Sequence, residues 1–155
     1  MAKMNKVPPE KFFEILGEMW RDICSIEFLM RCAIAQKNGD VSKFPPPPYL
    51  KDVEYDNYPE SFALPLFSNV VMEFNKLFPE LALSQELVDL RNAMAHGLVT
   101  EINNDGIDRL IKFRKQRNGK LKVEFSLTLE TSRIELIRAE LRNLRRCIAK
   151  EAGDT

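Results

Sequence analysis

SQELVDLRNAMAHG, residues 84–97, reads as one complete helix with its own start and stop. Ser84 can accept a hydrogen bond from a first-turn amide and cap the beginning. Leu87, Leu90 and Met94 recur at three and four residues on one face, and Gly97 ends the run. Beyond it the period changes from helical to alternating. Over residues 120–129, Leu121, Val123, Phe125, Leu127 and Leu129 alternate with Lys122, Glu124, Ser126 and Thr128, the pattern of a strand with one buried face. Asn118-Gly119 just before it is a strong hairpin signal, which makes residues 107–116 the partner strand. Asn103-Asn104-Asp105-Gly106 predicts a further turn from a shorter strand over residues 98–102.

After the hairpin, Ser132-x-x-Glu135 reads as a capping box, and Ile134, Ile137, Leu141, Leu144 and Ile148 continue as a last helix. Toward the N-terminus, Phe67, Val70, Val71, Phe74, Leu77 and Phe78 mark a helix stopped by Pro79. A long first helix opens behind Pro8-Pro9, carries Phe12, Leu16, Met19, Ile23, Ile26, Met30 and Ala33 on one face, and ends near Asn38-Gly39. Glu10, Glu14, Glu18 and Asp22 line another face of it. No His or Cys joins these carboxylates, so they read as a solvated face and not as a metal site. Residues 40–64 lose periodicity around Pro45-Pro46-Pro47-Pro48, an extended connector. Its aromatic neighbours Tyr49, Tyr55, Tyr58 and Phe62 predict that it packs onto the body. The expectation is a mainly α protein: a helical bundle carrying a small antiparallel β-hairpin (about 107–129) or meander between the helix of residues 84–97 and the last helix, in one domain over residues 1–155.

Composition fits an ordinary globular chain: 155 residues, 45% hydrophobic and 30% charged, exclude disordered and collagen-like classes. The 23 basic and 23 acidic side chains cancel. Their distribution does not: residues 1–90 hold 9 basic and 14 acidic, and residues 91–155 hold 14 basic and 9 acidic, so an anion would settle on the C-terminal part. Three cysteines, Cys24, Cys32 and Cys147, form no CxxC pair and suit a reducing compartment. No unbroken apolar stretch is long enough for a signal peptide or a membrane span. These features predict a cytoplasmic protein with no membrane association.

The chain has no phosphate-binding loop, no nucleophile elbow and no HExxH, and with one histidine it cannot build a multi-histidine metal site within a protomer. Neither a metal nor another cofactor is expected. Acid/base chemistry near neutral pH would involve His96 first. It stands in Arg91-Asn92-Ala93-Met94-Ala95-His96-Gly97: an Arg, a polar residue beside it, three small or apolar residues, then His at a helix end. This motif resembles the Arg-x4-His signature of the HEPN superfamily, compact helical domains of which many are metal-independent endoribonucleases acting as toxins, phage-defence effectors or RNA-processing factors. The resemblance implies that Arg91 and His96 form the catalytic pair, that Asn92 orients or supplements it, and that the protein works on RNA as a homodimer with two motifs facing one cleft, restrained by an antitoxin protein. It equally admits a non-catalytic HEPN interaction or nucleotide-binding module serving a partner protein.

Residue chemistry is consistent with cleavage. Metal-free RNA scission needs a proton shuttle and a fixed cation for charge growing on the phosphate, which His and Arg supply. At ~100° per residue Asn92 and His96 share a helical face, whereas Arg91 is turned ~140° from His96. A two-fold pairing would let Arg and His from two chains converge. The plainer alternative is a His bonding the last helix carbonyls and an Arg pairing with Asp89. A second candidate is the basic run Arg109, Lys112, Arg114, Lys115, Arg117, Lys120 and Lys122, with no acidic residue inside it. The last six are expected either to bind RNA phosphates or to protect a strand edge from pairing. Arg138, Arg142, Arg145 and Arg146 read as a solvated face balanced by Glu135 and Glu140.

Overall fold

The computed structural model describes residues 9–46, 49–101 and 108–153. Helix α1 spans Pro9–Lys37, α2 Phe67–Leu77, α3 Gln85–His96 and α4 Thr131–Glu151. Strands β1 (Leu98–Glu101), β2 (Asp108–Lys115) and β3 (Leu121–Thr128) lie between α3 and α4. The fold is mainly α with a small antiparallel sheet in the order β1-β2-β3. The chain forms two compact units: residues 1–23 with 84–142, and residues 24–83 with 143–155. Among the described residues no helix is long and apolar enough to cross a membrane.

In the unit of residues 24–83 and 143–155, α1 buries Ile26, Met30, Ala33 and Ile34, α2 buries Phe67, Val70, Val71 and Phe74, and α4 buries Ile148. Each of these side chains larger than alanine contributes about 1.5–3 kcal/mol on leaving water. Phe74 stacks on Phe78 with centroids 4.8 Å apart. The Asn75 side chain brackets Leu83, donating to its carbonyl at 3.1 Å and accepting from its N–H at 2.8 Å. The connector does pack, but through a different set of contacts from the tyrosines. Arg31 donates to the carbonyls of Ser61 at 2.7 Å and Leu64 at 2.9 Å, Ser61 Oγ donates back to the Arg31 carbonyl, and Phe62 sits against Phe28 and Phe44. Tyr49 and Tyr58 remain exposed, and Tyr55 donates to the Pro46 carbonyl within the connector itself. Pro47 and Pro48 of the proline tract lie outside the described residues.

The other unit carries α3 and the sheet. Ser84 accepts from the Leu87 N–H, as a cap should, and Leu87, Val88, Leu90 and Ala93 are buried. Met94, expected on that face, is only half-buried. The hairpin turns at Gln116–Lys120, where the Gln116 N–H donates to the Lys120 carbonyl at 2.7 Å and Gly119 takes φ +79°, a left-handed conformation that favours glycine. The expected turn at residues 103–106 lies outside the described residues.

Three expectations need correction. The apolar residues of β3 do not form one buried face: Leu127 and Leu129 are covered, whereas Leu121 is 66% and Val123 49% exposed, because the shift in register between Lys112 and Phe113 moves the two sets to opposite faces of the sheet. Helix α4 opens at Thr131, which places Ser132 inside the first turn and not at the cap. The acidic line on α1 is not a solvated face throughout. Glu14 is exposed, Glu18 forms an ion pair with Arg138 of α4, and Asp22 is only 5% exposed. That pairing also removes Arg138 from the solvated face expected for it.

Gly97 joins α3 to β1. Its N–H donates to the Ala93 carbonyl at 2.6 Å, and its φ of −87° is open to any residue. Space is the constraint: a Cβ there would press on the carbonyl oxygen of Ala93 and lie 2.6 Å from that of Ile111. Gly97→Ala is expected to destabilise the protein by about 1–3 kcal/mol, as overpacking does, measured as a lowered urea midpoint with an unchanged slope.

Candidate functional site

The Arg91–His96 segment occupies the last turns of α3, and its three polar residues go to three places. Arg91 is half-buried and lies over the Trp20 ring of α1, with its guanidinium carbon 5.8 Å from the ring centroid. That contact is a cation–π arrangement, which fixes the plane of an otherwise flexible side chain. Asn92 turns under the sheet, where with Asp89, Lys112, Glu124 and Phe125 it lines a cavity of about 30 Å³, room for a water or two. His96 is exposed in the final turn. One chain therefore holds the Arg in place and presents the His to solvent without gathering the three into one site. Asp89, on the preceding-turn side of Arg91, accepts from the Gln85 side chain at 3.0 Å.

The basic hairpin divides into a neutralised part and an open part. Alternation puts Lys112 and Arg114 on one face of β2 and Ile111 and Phe113 on the other. On the first face stands Glu124 of β3. Its Oε2 is 2.9 Å from Lys112 Nζ, and its Oε1 accepts from Arg114 Nη1 at 3.2 Å. The Lys112 ammonium, and secondarily Arg114, hold the Glu124 carboxyl below the ordinary glutamate value. These two cations are thus committed within the sheet. Lys115, Arg117, Lys120 and Lys122 are exposed around the turn.

Glu124 was legible in principle. Antiparallel pairing from the turn sets Lys115 against Leu121, Arg114 against Lys122 and Phe113 against Val123, and one more step would set Lys112 against Glu124. A register shift between Lys112 and Phe113 pairs Lys112 with Phe125 instead and leaves Glu124 beside both cations. Trp20 as the seat of Arg91 had no such local signal, since it lies in a different helix.

On the same side of the sheet a wider cleft of about 320 Å³ opens between β3 and the first turns of α3 and α4. Its floor includes Leu87, Leu90 and Ile137. Its walls carry Glu86, Asp89, Glu124 and Glu140 against a single Arg133. With Glu124 already paired to Lys112 and Arg114, the other three carboxylates still outnumber the one guanidinium and disfavour a phosphate chain, so a nucleic acid backbone is better received at the open turn than in this cleft. Among the described residues no group of three or more His, Cys, Asp or Glu is placed to hold a metal ion. No family model, curated protein or solved structure matches the chain.

Glu124 supplies a check on the hairpin electrostatics. A depressed carboxyl value in the folded state means that the ion pairs support the hairpin above the unfolded value and are lost as pH falls through the folded one. Carboxyl-detected NMR titration is expected to place the Glu124 midpoint below the ordinary value of 4.5. Lys112→Met should move it upward, more than Arg114→Met does.

Proposed function

We propose that the protein is a metal-independent endoribonuclease of HEPN type, a toxin or phage-defence component of the cytoplasm that acts on RNA as a homodimer and is restrained by a separate antitoxin. The observation that carries this reading is the Arg91-x4-His96 spacing in the last turns of α3, with His96 exposed and Arg91 oriented by Trp20. In the proposed reaction His96 takes the proton from a ribose 2′-hydroxyl or returns one to the leaving 5′-oxygen. Arg91 stabilises the charge that grows on the phosphate oxygens. Asn92, one turn below His96, steadies the helix end. The exposed cations Lys115, Arg117, Lys120 and Lys122 receive the RNA backbone, with Lys112 and Arg114 contributing once Glu124 is displaced or protonated. Cys24, Cys32 and Cys147 form no disulfide, which suits a reducing compartment.

A second reading is a non-catalytic HEPN interaction or nucleotide-binding module serving a partner protein. It is favoured by a specific observation: Asn92 and two of the six hairpin cations are engaged inside the fold and not turned to a ligand.

Cleavage of total RNA with chelator present separates the two. His96→Ala and Arg91→Ala are each expected to lower the rate by about 10²–10⁴-fold while the circular dichroism spectrum is unchanged. Wild-type protein that leaves RNA intact, or variants that cleave as well as wild type, would remove the ribonuclease reading. Reversing charge at the open turn, with Arg117→Glu and Lys120→Glu together, should weaken RNA binding. It should also flatten the log-log salt dependence, which runs at a slope of about −0.7 per phosphate contacted on a single strand.

A further inference from the structure

Helix α1 contains a glycine that its own chain does not explain. Gly17 sits in the interior of a 29-residue helix, where glycine is worse than alanine by roughly 1 kcal/mol. Its backbone is not left-handed, and a Cβ added there would meet nothing within 4 Å. Among the described residues no turn, bulge or close intramolecular approach requires it. Four residues before it stands Phe13, 79% exposed, and three after it Trp20, 36% exposed. Aromatic, glycine, aromatic at helical spacing on the outward side is the reverse of the charged face a solvated helix presents. Along one margin of this stripe run Glu14 and Arg21. Glu14 is exposed and has no ion pair among the described residues, and Arg21 is exposed, reaching Asp22 only at 3.7 Å through one nitrogen.

We infer that this face is a homodimer surface on which a second copy lays the same stretch of α1 in the antiparallel sense, with the two-fold axis beside Gly17. The charges select this occupant. Antiparallel helices related by a two-fold bring the same margin of each together, and residues equally far before and after the axis oppose one another. Glu14 and Arg21 lie symmetrically about the point between residues 17 and 18, so each Glu14 meets Arg21 of the other copy, twice per dimer. Opposite charges at these flanking positions are what fixes register and orientation in paired helices. The stripe is self-complementary as well. Phe13 of one helix falls within a helical turn of Trp20 of the other, and the missing Cβ of Gly17 lets the backbones approach closely where they cross. Arg91, seated over Trp20 at the opposite margin, is carried along: the pairing brings both Arg91 guanidinium groups to one groove of the dimer. The inference rests on α1 and holds whether or not the motif cleaves RNA.

Sedimentation velocity on the full chain tests it. Wild-type protein is expected to be a dimer in the micromolar range. Arg21→Glu alone and Glu14→Arg alone should each weaken association at least about tenfold, equivalent to about 1.4 kcal/mol, by facing like charges across the axis. The double variant Glu14→Arg with Arg21→Glu should restore the dimer. Gly17→Leu should also dissociate it while raising intrinsic helix propensity, so a loss there is not a loss of folding, and circular dichroism confirms this. A monomer throughout, a dimer indifferent to Arg21→Glu, or a double variant no better than the single ones overturns the inference. A dimer that follows the charge swap but leaves RNA intact keeps it and removes only the ribonuclease reading.

Discussion

The approach of Gly97 to the Ile111 carbonyl sets the geometry of the unit that carries the motif. At that point α3 has ended, the Gly97 N–H still closes a turn onto Ala93, and the backbone must pass between its own last turn and strand β2 without room for a side-chain carbon. The direction of β1 follows from this passage. So does the register that pairs Leu98 with Ile111 and Val99 with Leu110. Because His96 is the residue immediately before the constriction, its exposure is a by-product of the same turn.

The sheet that results has two unlike sides. One faces α3 and gathers polar groups: Lys112 and Arg114 around Glu124, with Asn92 and Asp89 below them. The other ends in apolar residues with little cover toward the turn, where Phe113 and Val123 oppose each other and are 42% and 49% exposed. The register shift in β3 is what separates these roles. It brings Glu124 onto the polar side next to two cations, so that a stretch with no acidic residue in sequence is partly neutral in space. Pairs this close to solvent add little stability and are screened by salt. Their larger effect is to confine the available positive potential to the four cations of the turn.

Arg91 shows how an aromatic ring can help to fix a charged side chain. An arginine stem packs along apolar surface while its planar head stacks on an indole, and both contacts survive in water better than an exposed ion pair does. The same indole belongs to the outward stripe of α1 with Gly17 and Phe13, which links the orientation of Arg91 to whatever covers that stripe.

Local sequence determined the elements. The period of Leu87, Leu90 and Met94, the cap at Ser84, the alternation of residues 121–129 and the proline stop at Pro79 are properties of neighbours in the chain. Steric and hydrogen-bonding preferences act at that range whatever the fold, and the four helices and three strands stand close to where those signals put them. Tertiary structure decided the partners. That Glu18 would reach Arg138, that Asp22 would be buried, that Trp20 would seat Arg91 and that Glu124 would take up Lys112 and Arg114 depends on which faces meet and on a one-residue shift in strand register. A charge or an aromatic ring acts across a few ångströms of space irrespective of its distance along the chain. Its role is therefore fixed only when the elements pack, and the composition of a segment such as 109–122 states what charge it carries but not what charge it leaves free.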